Sequence, residues 1–175
     1  MQKNIEVEQL IKQVMGEKTE APKDLKPESI ESLLKFLVYV VLNKEEGTGE
    51  ICGLWNSLEA AGYGIGSVYA IRSAISILPK IGLNTCFALC SPYTAKLVNH
   101  NYGTVIEKSV GNEGTFYYPK IDLLATIVHL PNSQNLEGAR KEEVEIISSL
   151  RENPKQEKME MGRKGEVRVI YDLDI

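Results

Sequence analysis

Residues 60–90 read AAGYGIGSVYAIRSAISILPKIGLNTCFALC, and the predicted fold rests on them. Gly62, Gly64 and Gly66 lie at alternate positions, and the apolar residues that follow recur at helical spacing up to a closing proline and glycine. The apolar residues at 83–90 then predict a short buried strand. A glycine loop followed by a helix and a strand predicts an α/β fold.

The neighbouring residues extend this pattern in both directions. Ser91 and Pro92 are favourable first residues of a second helix, because a serine hydroxyl accepts from an unbonded helix N–H and proline suits the first turn. The charged residues 153–165 are predicted to be mobile. The helix that begins at Ser91 and Pro92 is predicted to end at 99–101. The other predicted elements are helices at 5–15, 27–32 and 137–152, a turn at 45–49, and strands at 34–42, 50–56, 104–108, 115–118, 121–130 and 167–171.

Length and composition exclude several classes of protein. With 175 residues, of which 43% are hydrophobic and 25% charged, the chain fits one globular domain with a short extension. Its net charge of −4 argues against nucleic acid as a partner, and no apolar run is long enough to cross a membrane. The three cysteines and two histidines are not spaced as a metal site, and the N-terminus lacks a signal-peptide pattern. We therefore expect a cytoplasmic protein with reduced thiols and no bound metal.

The glycine loop is a candidate anion site. Backbone N–H groups with no side chains beside them, at the start of a helix, bind phosphate oxygens. The loop lacks the lysine of a P-loop, and Ser67 stands where a dinucleotide fingerprint has its third glycine. Residues 60–106 contain no Asp or Glu. The absence of acidic residues favours a ligand with several phosphates and no metal, but a buried core would explain it equally well. A tight turn without a ligand is the alternative for the loop itself.

Residues 50–105 resemble the core of the GNAT superfamily of acyl-CoA-dependent N-acyltransferases. The resemblance runs through the strand ICGLWN, the loop AAGYGIGS, the helix SVYAIRSAISILPKIG, the strand LNTCFALC and the helix SPYTAKLVNHN. The family signature Q/R-x-x-G-x-G/A is matched at Gly64 and Gly66, whereas Ala61 replaces its Gln or Arg. A weaker resemblance continues to Leu130 and does not include the C-terminal tail.

The resemblance implies an α/β fold with a GNAT-like mixed, splayed central sheet flanked by helices. Only 49 residues precede Glu50, so the N-terminal part is expected to be shorter than in the family. We predict an acyl-CoA-binding domain at 1–131 and a C-terminal extension at 132–175. The extra helix and strand of this extension are expected to pack on the same domain, or on the second subunit of a homodimer.

The resemblance also implies a site for acetyl-CoA, or another coenzyme A thioester, as co-substrate. In the family, the strand before the loop binds the pantetheine arm through its backbone, and the loop amides bind the diphosphate. Arg72, further along the helix, is expected to be a surface residue. The implied cofactor-binding residues are Leu54, Asn56, Gly62, Tyr63, Gly64, Ile65, Gly66 and Ser67.

The implied reaction is direct attack of a substrate amine on the thioester carbonyl. It needs a base for the amine proton and an acid for the leaving thiolate. Glu50 is the candidate base; the alternative is that it is an exposed carboxylate at the end of a strand with no part in the reaction. The family's tyrosine position falls on Val98, which has no proton to donate, so Tyr102 and Tyr93 are the candidate acids, each with a purely structural alternative.

These observations predict an N-acyltransferase that acetylates an amine of a small molecule or a protein, with no nucleic-acid or membrane partner. Two alternatives stay open. The shortened N-terminal part is compatible with an acyl-CoA-binding sensor that has no transferase activity. The glycine loop is compatible with a nucleotide-binding α/β module. Nothing in the sequence identifies the acceptor amine.

Overall fold

The computed structural model describes residues 47–52, 68–108, 111–118, 122–162 and 164–174, and these residues form three helices and seven strands. The helices are α1 (Val68–Ile77), α2 (Pro92–Tyr102) and α3 (Lys141–Glu152). The strands are β1 (Thr48–Glu50), β2 (Thr85–Cys90), β3 (Val105–Ile106), β4 (Thr115–Tyr118), β5 (Leu123–Leu130), β6 (Lys155–Gly162) and β7 (Gly165–Asp172).

Five of these strands form one mixed sheet. β1 is parallel to β2, β2 is antiparallel to β5, and β3 and β4 both pair antiparallel with β5. β3 pairs with β5 near His129, and β4 pairs with β5 near Ala125. β2 and β5 are thus interior strands, which explains their nearly continuous apolar sequences. The predicted α/β class is confirmed for this part of the chain.

The core lies between this sheet and the helices α1 and α2. Ile71 and Ile75 of α1 and Val98 of α2 belong to one buried cluster. Cys86 of β2 and Leu130 of β5, which are paired in register, supply the sheet side of the same cluster. Burying a side chain of this size stabilises the fold by about 1.5–3 kcal/mol. The helical spacing predicted after the glycine loop therefore corresponds to the buried face of α1, which contributes to this cluster and packs against α3.

Both ends of α2 follow from the sequence. The hydroxyl of Ser91 accepts the backbone N–H of Thr94 at 3.2 Å, and Pro92 stands in the first turn. At the other end, Gly103 has a left-handed φ of 66° and donates its N–H to the carbonyl oxygen of Asn99 at 3.2 Å. The predicted start is confirmed, and the helix ends one residue beyond the predicted limit, at Tyr102.

The first strand of the sheet differs from the prediction. The sequence predicts a turn at 45–49 and a strand at 50–56, whereas β1 already begins at Thr48 and ends at Glu50. Gly49 pairs with Cys86, and Leu83 packs where its side chain would stand, a close approach that glycine permits. Gly47, which precedes the strand, has a left-handed φ of 77°, a turn conformation that suits glycine. The predicted elements at 5–15, 27–32 and 34–42, and the rest of the strand at 53–56, lie outside the described residues.

The other strands of the sheet agree with the predictions apart from their bounds. The prediction for 115–118 matches β4. The predicted strands at 83–90, 104–108 and 121–130 become the shorter strands β2, β3 and β5. Shifts of a few residues at strand ends are common, because terminal pairing depends on the neighbouring strand.

The last helix begins at Lys141, four residues after the predicted start. Leu136 and Gly138 have left-handed φ angles of 50° and 79°, which a right-handed helix does not contain. Between these residues and the helix, Ala139 donates its N–H to the carbonyl oxygen of Leu136 and forms a bridge with Tyr102. Since Leu136 is buried in the core, this turn is held by tertiary packing that the local sequence does not reveal.

The C-terminal hairpin is the largest departure from the prediction. Most of the segment predicted to be mobile forms β6, which pairs antiparallel with β7 along its whole length. Gln156 forms hydrogen bonds with α3, and Glu160 with Arg72 of α1. Met159 points to the opposite, exposed face. The polar face of β6 is therefore the one that faces the helices, so hydrophobic alternation does not identify this strand.

Candidate functional site

A cavity of about 340 Å³ lies beside β2 and the two residues that follow β1, and we call it the β1–β2 cavity. Its walls are β2 residues 86–90, Ile51 and Cys52 after β1, Ile71 of α1, and side chains of α2 and β5. The cavity lies at the carboxyl ends of two parallel strands, where α/β proteins commonly bind ligands. Its volume is typical of a small-molecule site. It is the candidate functional site of the described part of the chain.

The pairing of β1 with β2 ends beside this cavity. Glu50 and Phe87 form the last ladder pair of the described residues, and Ile51 donates its N–H to the carbonyl oxygen of Phe87 at 2.8 Å. β2 itself continues to Cys90. Because alternate strand residues direct their backbone groups to the same side, the N–H and C=O of Leu89 point to the β1 side, beyond that last pair. The cavity edge therefore carries a backbone donor and a backbone acceptor.

Two thiols line the cavity from the same face of β2. Burial raises the pKa of Cys86 to about 12 and the pKa of Cys90 to about 11. The Sγ atom of Cys90 donates to the carbonyl oxygen of Thr126 at 3.7 Å. Since the thiolate is the reactive form, both side chains act as small apolar groups at neutral pH. All three cysteines are free, and Cys52 is exposed.

Tyr102, one of the two candidate acids, lines the cavity from the last turn of α2. Its side chain is buried, and its hydroxyl donates to the carbonyl oxygen of Val68 at 3.2 Å. Burial raises the pKa of this phenol, and the negative charge of Glu143 raises it further. Tyr102 therefore stays protonated at neutral pH, and it ties the first turn of α1 to α2.

Arg72 is not a surface residue, contrary to the prediction. It is 6% exposed, and its guanidinium donates to both carboxylate oxygens of Glu143 and to Glu160 at 3.2 Å. Its Cζ atom lies 5.3 Å from the centre of the Tyr69 ring. Burial alone would lower the pKa of Arg72, but the hydrogen bonds with Glu143 raise it, so the charge is kept. The residue joins α1 to α3 and β6, and its role is structural.

The other predicted site residues are not in the described cavity wall. Glu50 is exposed at the end of β1, directly before the lining residues Ile51 and Cys52. Tyr93 lies in the first turn of α2, is 73% exposed and does not line the cavity. The remaining predicted residues lie outside the described residues: Leu54, Asn56, Gly62, Tyr63, Gly64, Ile65, Gly66 and Ser67.

Sequence reasoning misses the cavity-lining residues of β2. Cys86, Ala88 and Cys90 have the apolar character of any buried strand, and the predicted site concentrates on the preceding strand and loop. The available signal is topological. When a loop and a helix connect two strands, the second strand tends to pair with the first in parallel. The carboxyl ends of both strands then border the same crevice.

The described residues contain neither a metal-binding cluster nor a membrane-spanning helix. No group of three or more His, Cys, Asp or Glu side chains there is placed to hold a metal ion. No helix in the described part of the chain is long and apolar enough to cross a membrane. Comparison with known proteins gives no match, whether to a family model, a curated protein or a solved structure. The cavity and its walls therefore carry the functional inference.

Proposed function

We propose that the β1–β2 cavity binds the pantetheine and thioester end of acetyl-CoA or a related acyl-CoA, and that the protein transfers the acyl group to an amine. The observation that carries this proposal is the cavity of about 340 Å³ beside β2, next to the last β1–β2 pair of the described residues. In the GNAT-like, splayed sheet that the resemblance implies, the thioester binds where the strand before the loop separates from its neighbour. The glycine loop before α1 would hold the diphosphate.

The pantetheine arm fits the chemistry of the cavity edge. It is an extended chain with amide groups, which bind a strand edge through main-chain hydrogen bonds. Leu89 directs one N–H and one C=O to the side of β2 on which β1 pairs, beyond the last described pair. Most of the side chains that line the cavity are apolar, and hydrogen bonds are stronger in such surroundings than in water. The resemblance implies Leu54 and Asn56 as further backbone partners of the arm.

The transfer would proceed by direct attack. The amine nitrogen forms a bond to the thioester carbonyl carbon, the carbon–sulfur bond breaks, and the sulfur leaves as a thiolate that takes up a proton. Glu50 is the proposed acceptor of the amine proton; it is exposed at the end of β1 and would have to reach the thioester around the strand end. Tyr102 is the proposed hydrogen-bond donor to the leaving sulfur, since it lines the cavity and remains protonated, and its hydroxyl would exchange its bond with the Val68 carbonyl for one with the sulfur.

One observation favours a second function, an acyl-CoA-binding sensor that does not catalyse transfer. No charged side chain lines the described part of the cavity, so a base has to reach the thioester from the rim. A protein that only senses the thioester needs the apolar walls and the backbone groups, and needs no base. The two functions share one ligand and differ in whether it is consumed.

Thermal unfolding with acetyl-CoA, NAD and ATP, followed by an assay for released coenzyme A thiol, separates these functions. At a hundredfold excess over its Kd, a ligand stabilises the folded state by about 2.7 kcal/mol. We expect acetyl-CoA to raise the Tm, and thiol release to depend on an added amine. Stabilisation without thiol release across a panel of amines would favour the sensor. Stabilisation by NAD or ATP alone would contradict both functions.

A further inference from the structure

The most buried side chains that line the β1–β2 cavity are uncharged, and we call the part of the cavity that they line its inner end. Ile71 of α1, Val98 of α2 and Leu130 of β5 line it, and each is 7% exposed or less. Cys86 lines it as well, with a thiol that burial keeps protonated. No Asp, Glu, His, Lys or Arg is among the described lining residues. A group that enters this end must itself be uncharged, because burying an unpaired charge is costly.

We propose that this inner end holds the alkyl chain of an aliphatic acyl-CoA several carbons longer than acetyl. This inference rests on the proposed function, of which it specifies the acyl group. Coenzyme A carries all its phosphates at the end opposite to the acyl group, so only the acyl end can enter an uncharged, buried space. The amide groups of the pantetheine arm need polar partners, which the backbone of Leu89 offers at the cavity edge.

The volume of the cavity favours a longer chain over acetyl. A methyl or methylene group occupies roughly the ~30 Å³ that one water molecule takes in the liquid. The cavity measures about 340 Å³ and the thioester end of the pantetheine takes part of it, so a single methyl group fills only a small share of the rest and leaves apolar lining without contacts. Each further methylene fills part of this space and removes its own surface from water, which improves the free energy of binding by about 0.8 kcal/mol.

The same lining excludes acyl groups that end in a carboxylate. Within the described wall, a buried succinyl or malonyl carboxylate would find no positively charged side chain as a partner. Arg72, the nearest candidate on α1 by sequence, is engaged by Glu143 and Glu160. The expected substrate class is therefore neutral and aliphatic.

Equilibrium binding of acetyl-, butanoyl-, hexanoyl- and succinyl-CoA to the full chain tests this inference. We expect Kd to fall about fourfold for each added methylene, the equivalent of ~0.8 kcal/mol, and to be highest for succinyl-CoA. Val98→Leu adds a methylene to the cavity wall and should shift the optimum to shorter chains, whereas Val98→Ala should shift it to longer ones. Val105→Leu adds the same group on an exposed strand outside the cavity and should leave the order unchanged.

The wild-type chain-length series decides the inference by itself, so a variant that fails to fold does not prevent the test. Saturable binding with equal Kd for acetyl-, butanoyl- and hexanoyl-CoA, or tightest binding of acetyl- or succinyl-CoA, would overturn the inference and leave the proposed function standing. A lack of saturable binding for every thioester would overturn the proposed function, and with it the inference.

Discussion

Arg72 and Glu143 form a buried, bidentate ion pair, with Nε–Oε2 and Nη2–Oε1 distances of 2.7 and 2.8 Å. The pair joins α1 to α3, and Glu160 of β6 accepts a further bond from the same guanidinium. Two N–H groups of the guanidinium bond the two oxygens of the carboxylate. Buried charges are tolerated in such a bidentate arrangement. The C-terminal extension is thereby attached to the helix that follows the glycine loop.

Removing one charge of this pair should destabilise the fold strongly. Glu143→Gln replaces the carboxylate on two N–H groups of Arg72 by a neutral amide, while Glu160 keeps its bond to the guanidinium. Breaking a buried pair outright costs about 3–5 kcal/mol, so we expect a loss that approaches the lower end of this range. Urea denaturation gives the loss of unfolding free energy directly. Glu145→Gln, on the same helix, breaks only the exposed pair with Lys141 and should change stability by less than about 0.5 kcal/mol. Equal losses for the two variants would contradict a structural role of the buried pair.

The backbone N–H of Leu89 should contribute to coenzyme A binding. Leu89→Pro removes this donor, and it spares the pairing with β5 because Leu89 directs its N–H to the other side of β2. Loss of one hydrogen bond of about 1 kcal/mol weakens binding roughly fivefold. Leu89→Ala keeps the donor and removes only the side chain, so it separates the two contributions. Calorimetric titration with coenzyme A measures both variants, and identical Kd values for them would exclude the backbone contact.

Two glycines with similar φ angles should respond differently to alanine. Gly82 has a φ of 75° with open space where a side chain would stand, so Gly82→Ala should cost about 1–2 kcal/mol from the left-handed backbone alone. At Gly103, with a φ of 66°, the new Cβ would lie 2.7 Å from the backbone nitrogen of Ala139. Gly103→Ala should therefore cost more than about 3 kcal/mol, because the turn before α3 must move. Chemical denaturation of both variants tests the difference, and a smaller loss for Gly103→Ala would show that this turn is not packed as described.

His129 should make stability fall on acidification. Burial lowers the pKa of His129, and the opposing effect of Glu107 does not cancel it. The folded protein therefore binds fewer protons than the unfolded chain below the unfolded pKa of about 6.5, so stability is lost as the pH falls through this range. One group contributes at most about 1.4 kcal/mol per pH unit.

Denaturation curves at a series of pH values measure this slope. His129→Gln should reduce the loss between neutral and mildly acidic pH, whereas His100→Gln, at an exposed position of α2, should leave it in place. An unchanged slope in His129→Gln would assign the acid sensitivity to other groups.

Local signals of the sequence predict much of the sheet and the helices. Ser91 and Pro92 mark the start of α2 through capping rules that need only neighbouring residues, whereas its end at Tyr102, capped by Gly103, lies one residue beyond the predicted limit. The apolar stretches that become β2 and β5 are equally readable, since both strands are interior. These predictions depend on interactions within a few residues or on burial alone.

Long-range pairing explains what the sequence does not predict. Arg72 is separated from Glu143 by 71 positions and from Glu160 by 88, so its burial has no local signal. For the same reason β6 was not predicted, because its inward side chains are polar and are bonded by α1 and α3. The cavity at β2 likewise depends on where β1 stops pairing, which is a property of two strands together.

Titration of ¹⁵N-labelled protein with coenzyme A, followed by two-dimensional NMR, tests the proposed site most directly. If the β1–β2 cavity holds the pantetheine arm, the Leu89 amide should be among the most strongly perturbed resonances and should saturate with the ligand. The amide of Arg168, on the exposed C-terminal hairpin, should not move. Saturable binding that leaves Leu89 unchanged, or no perturbation of any resonance, would contradict the account.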